Sequence, residues 1–159
     1  MAGKKRNTGE RVVEAERFVL RGRDGRERLV LGTTEAGDPF VSVMGADGAS
    51  RAALHLKGDA PHLHLHDRAG TLRVSVALDD ADLGPGRSGE VPSVSLCNAD
   101  GTAQVQLVVL PQGGGPGVAL NDAAGRQRIF LHLLDDTYVV VTDAKDRKVW
   151  TVPKPKPAK

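Results

Sequence analysis

One hairpin pattern, repeated along most of the chain, limits the possible folds more than any other feature. It is clearest over Val118 to Leu133, VALNDAAGRQRIFLHL, where two alternating apolar and polar stretches flank an NDAAG turn. Taking the turn glycine Gly125 as origin, apolar residues stand five and seven places before it (Leu120, Val118). They stand four, six and eight places after it at Ile129, Leu131 and Leu133. The template recurs at Gly25, Gly48, Gly70 and Gly101, and Asp146 holds the equivalent place in a degenerate sixth copy. Intervals run from 21 to 24 residues, with a single interval of 31 between Gly70 and Gly101. Strict period-two alternation in consecutive hairpins is the pattern of antiparallel strands with one apolar face.

The turns carry their own chemistry. An Asp or Asn three places before the glycine (Asp67, Asn98, Asp122, and Asp143 before Asp146) can close an Asx turn, and glycine supplies the positive φ of a tight hairpin. At Gly22 and Gly45, which lack that side chain, Asp24 and Asp47 directly precede the turn glycine instead. Arg28, Arg51, Arg73 and Arg128 each lie three residues beyond a turn, on the face opposite the apolar set; Gln104 interrupts the column. Such a row reads either as solvated or cross-strand-paired charge or as an anion-binding interaction ladder.

The predicted fold is therefore all-β: six consecutive antiparallel β-hairpins, about twelve strands, as a repeat array or β-spiral. The alternating Leu and Val residues are expected to point inward. Ordering so long a chain is entropically costly, so an apolar face left in water is not expected. The sheet should curl on itself or meet another chain, as in trimeric fibre shafts. A β-trefoil is the alternative, since twelve strands and this length suit it, but a trefoil should repeat every two hairpins and these turns share one template. Residues 1–16 read as a basic flexible arm or short helix, 17–152 as the hairpin domain, and 153–159 (PKPKPAK) as a Pro/Lys-rich tail.

Composition narrows the partners. Aromatic residues make up 3% of the chain, against stacking platforms for single-stranded nucleic acid or sugars. A net charge of +2 gives no electrostatic case for nucleic acid either. One cysteine, Cys97, excludes an intrachain disulfide framework, and no apolar run is long enough for a signal peptide or membrane span. A cytoplasmic protein is the expectation.

The segments DRAGTLR (Asp67 to Arg73) and DAAGRQR (Asp122 to Arg128), set between alternating strands, share a DxxGxxR spacing. In this the chain resembles the tandem β-hairpin repeat proteins of bacteria, over about Phe18 to Val152. The resemblance implies an architecture and an assembly role, and it implies no catalytic residue. Such arrays begin after an N-terminal helical or membrane segment, and the stretch before Phe18 departs from that.

Among chemistry-bearing residues, His62, His64 and His66 in HLHLH fall on one strand face, opposite Leu63 and Leu65, and the template places His55 on the same face of the preceding strand. Facing imidazoles on adjacent strands suit Zn, Ni or Cu; the alternative is a polar row filled by histidines. In a trimeric array the HxH triplets could also ring an axial ion. Asp79, Asp80, Asp82 and Glu90 gather in the link LDDADLGPGRSGEVPS, read as an enlarged loop without the spacing of an EF-hand. Cys97 has no oxyanion-hole pattern around it, and the glycines of PQGGGPG precede a strand, where no helix cradles phosphate. The leading expectation is a non-enzymatic structural or protein-interaction β-repeat protein that self-associates as a homo-oligomer, such as a trimer, or scaffolds a protein partner. A loop-based carbohydrate- or protein-binding module of trefoil build is second, and a metal-binding protein or metal-dependent hydrolase using the histidines is third.

Overall fold

The computed structural model describes residues 13–82, 88–111, 114–133 and 137–152. The expected basic arm over residues 1–12 and the Pro/Lys-rich tail, 153–159, lie outside the described residues. Residues 13–17 form neither helix nor strand. Twelve strands follow: β1 (Phe18–Arg21), β2 (Glu27–Thr33), β3 (Pro39–Met44), β4 (Ser50–Lys57), β5 (Ala60–His66) and β6 (Leu72–Asp82) in the first half. The second half holds β7 (Ser88–Cys97), β8 (Ala103–Leu110), β9 (Gly115–Asn121), β10 (Gln127–Leu133), β11 (Thr137–Thr142) and β12 (Lys148–Val152).

All twelve belong to one antiparallel sheet whose order is the sequence order, β1 to β12. Each strand touches only its neighbours in the chain, so the sheet is open and a single layer thick among the described residues. Six hairpins are therefore present as expected, and the trefoil alternative fails, because it requires strands to pair out of sequence order. No helix of the described residues is long and apolar enough to cross a membrane.

The six tips of the template share one backbone hydrogen-bond pattern. At Asp67–Gly70 the Gly70 N–H donates to the Asp67 carbonyl at 3.1 Å, and the Asp67 N–H donates to the Thr71 carbonyl at 3.0 Å. Gly70 sits at φ 85°. This is a type I turn closed by a left-handed glycine bulge, and the strand register shifts beside it. The Asx prediction holds: Asp67 Oδ1 accepts from the Ala69 N–H at 2.9 Å and the Thr71 N–H at 3.0 Å. Asn98, Asp122 and Asp143 do the same in their own tips. At Gly22 a Cβ would lie 2.8 Å from Asp24 Oδ1, so the carboxylate two places later fills the space the missing side chain leaves. Asp146 takes the glycine position at φ 60°, a conformation Asp tolerates better than most residues.

Register aligns the apolar residues in rows that cross the whole sheet. One row runs from Leu20 through Leu29, Val43, Ala52, Leu65, Val74, Leu96, Val105, Leu120, Ile129 and Val141 to Trp150. A second runs parallel to it from Phe18 through Leu54, Leu63, Leu107 and Leu131 to Val152. These residues were expected to be inward, and within one chain they are not: Leu54 is 53% exposed and Leu107 46%. The physical reason is that, among the described residues, no second layer lies over them. The least exposed residues sit on the other face, among them Val30, Ser42, Ala77, Ala119 and Val140. There small side chains are sheltered between larger cross-strand neighbours, as Ala119 is between Gln106 and Phe130.

Candidate functional site

The strand pair β4–β5 concentrates the donor side chains. His55 and His62 stand directly opposite each other across the ladder, and His64 follows two residues on, all on the face away from Leu54 and Leu63. Alternation in HLHLH is what puts His62 and His64 on that face. The His55 and His62 rings stack with centroids 5.3 Å apart and 15° between planes, and His64 meets both edge-on. One ligating nitrogen from each of the three lies within 4.8 Å of the others. His66 lies further along the row, its ring centroid 6.0 Å from that of His64, and does not belong to the three-nitrogen group.

His62 is buried, while His55 and His64 are partly open to solvent. The His62 Nε2 is enclosed without a hydrogen-bond partner; Asp79 Oδ1 stands 3.3 Å away, outside hydrogen-bonding geometry. Burial lowers the His55 pKa below the usual imidazole value, aided by the neighbouring His62 charge and opposed by Asp38. Burial also lowers that of His64, with the charges of His55, His62 and His66 acting in the same direction. Both rings therefore favour the neutral form that donates a lone pair to a metal.

Asp79 arrives here because most of the long link is strand. β6 and β7 continue their ladder through Asp79–Val91, Asp80–Glu90, Ala81–Gly89 and Asp82–Ser88, leaving only residues 83–87 outside the described structure. The enlarged-loop expectation is thus corrected over most of that link. Strand alternation sends Asp79 to the histidine face and Asp80 to the other, so these two carboxylates do not converge on one point. Asp59 belongs to the tight β4–β5 connection. Asp67, at a hairpin tip, is engaged with Arg73 at 3.3 Å.

The arginine column lies on the histidine face and ties tips together. Arg128 pairs with Asp122 at 2.5 Å and reaches across to Asp146 at 2.8 Å and to the Asp143 carbonyl of the next tip. Arg73 pairs with Asp67 and donates from Nε to the Cys97 carbonyl at 2.9 Å. Arg51 pairs with Asp47 at 2.5 Å through Nη2, which also donates to the Arg68 carbonyl at 3.4 Å. Arg28 pairs with Asp24 at 2.8 Å. In the sixth tip the equivalent place is Val149. The guanidinium of Arg128 holds the Asp122 carboxyl at about 2.

His132 was not singled out by sequence reasoning. It is buried on the same face as the histidine cluster, beside Phe130, with Nε2 against the Gly114 carbonyl. Its alternation with Phe130 was visible in the sequence; the partner carbonyl, 18 residues away, was not. Cys97 is a half-buried free thiol. On the opposite face, the apolar rows bound a groove of about 510 Å³ over β4 to β9, edged by Leu54, Leu63, Val76 and Leu107.

A scan against protein-family models finds no match, and a search of curated proteins finds no significant relative.

Proposed function

We propose that this protein is a structural, self-associating β-sheet module, and that the partner of its apolar face is a second copy of the same chain. The observation that carries the reading is the pair of apolar rows crossing all twelve strands and left open to water. Because every hairpin repeats one template, the face is uniform along its length, and two copies offer each other matching rows of Leu and Val. Twelve strands spaced about 4.8 Å apart, each some 20 Å long, give a face on the order of 1,000 Å² per copy. A pair would bury roughly twice that, within the range of stable dimers. Face-to-face packing at about 10 Å would make a β-sandwich from two single layers. The bacterial tandem-hairpin proteins that the DxxGxxR spacing resembles point to the same assembly role.

The test is the mass in solution by light scattering after size exclusion, at low and high concentration. A multiple of 16.8 kDa that persists on dilution supports the reading. A compact monomer at every concentration overturns it.

A further inference from the structure

We propose that His55, His62 and His64 form a binding site for a single borderline divalent cation, zinc or copper(II), on the face opposite the association surface. The three nitrogens come from two adjacent strands of a rigid ladder, and two of the three residues are fixed opposite each other by strand pairing. Around a tetrahedral zinc with bonds of about 2.0–2.1 Å, ligand nitrogens stand roughly 3.3 Å apart. The observed separations of up to 4.8 Å close to that with small ring rotations. Imidazole donors without a thiolate select this part of the first transition series over calcium or magnesium.

A second observation points to a ligand. His62 Nε2 is sealed from water and has no partner, an uncompensated cost in a protein interior. Nine-tenths of the His62 side chain is covered, whereas His55 and His64 leave the cluster open to solvent on one side. Asp79 supplies the negative charge that a dication among neutral imidazoles lacks, its Oδ1 3.3 Å from that same nitrogen. An ion held here would fasten the β4–β5 hairpin and the extended β6–β7 hairpin to one another through Asp79.

The experiment is calorimetric titration of the full chain, stripped with chelator, with zinc and separately with copper(II). The expected result is one ion per chain for at least one of the two metals, with a dissociation constant in the micromolar range or tighter. Replacing His55 or His64 by Ala should weaken binding at least about tenfold, and Asp79→Asn, which removes the negative charge beside the His62 nitrogen, should weaken it by a smaller factor. His66→Ala should change it less than threefold, because His66 stands outside the group. Circular dichroism checks that each variant keeps its sheet. Should a variant unfold, the metal-induced rise in thermal midpoint of the wild type, set against that of His66→Ala, decides the question. Binding weaker than millimolar for both metals, or equal loss from His66→Ala and His64→Ala, overturns the proposal.

Discussion

Leu107→Asp is the most direct perturbation of the proposed association. Leu107 lies near the middle of the apolar face, between Val94 on β7 and Val118 on β9, and is 46% exposed in the single chain. Full burial of a leucine is worth about 1.5–3 kcal/mol, so covering the remaining half contributes about 1 kcal/mol per copy. Two copies lose about 2 kcal/mol when the side chain is cut to Ala, which corresponds to a roughly 30-fold rise in the dissociation constant. An aspartate adds the cost of stripping water from two carboxylates that find no partner among Leu and Val, and should raise the total beyond about 100-fold. Sedimentation velocity across a concentration series reads this directly, with far-ultraviolet circular dichroism reporting the sheet. The expected series is wild type associated, Leu107→Ala intermediate, and Leu107→Asp monomeric or unfolded, since a single layer that loses its cover also loses stability. Wild-type mass and thermal midpoint in Leu107→Asp would refute the reasoning, because no buried interface tolerates that change.

The opposite face should respond differently. Ala119→Leu forces a larger side chain between Gln106 and Phe130 at a position 6% exposed, and should destabilise the chain by about 1–3 kcal/mol, read as a lower denaturant midpoint. Acid should loosen the tips: Asp122 is held at about 2, below its ordinary 3.8, by Arg128. That stabilisation is complete above the ordinary value and is lost as pH falls from 3.8 through about 2. Asp122→Asn should therefore lower the thermal midpoint at neutral pH and narrow its gap to wild type over that window; a gap independent of pH would show that the ion pair contributes nothing.

Much of the fold was legible because period-two alternation is local. The apolar pairs at each tip, such as Val118 and Leu120 before the turn and Ile129 and Leu131 after it, land in the same two cross-sheet rows. What the alternation did not contain is which face the chain itself covers: residues that share a face are written in sequence, whereas the presence of a second layer is not. In the sequence the acidic run at Asp79 to Asp82 reads as loop because the link that holds it is longer than its counterparts and makes the single interval of 31. The ladder passes through it on backbone hydrogen bonds that need no apolar side chain. That misreading hid Asp79 from the histidines, although alternation alone placed His55, His62 and His64 together. The arginine column was equally visible, but its reach to carbonyls of the next tip, as from Arg73 to Cys97, spans 24 residues and depends on the sheet order.

The two ends of the sheet bear on how association stops. An open sheet has two unpaired edges, and edges of this kind template endless growth unless blunted. Here the outermost strands are the shortest, four residues in β1 and five in β12. The first edge is flanked by charge: Arg17 and Arg21 both pair with Glu27, at 2.6 and 3.1 Å. Lys148 opens the last strand, at the other edge. Short, charged edges add few backbone hydrogen bonds, whereas the face presents two complete apolar rows, so burial favours face over edge. The assembly should accordingly be closed and of one size, with a sedimentation coefficient that reaches a plateau as concentration rises. Species that lengthen without limit would place the contact at β1 and β12 and leave the apolar face without its second copy.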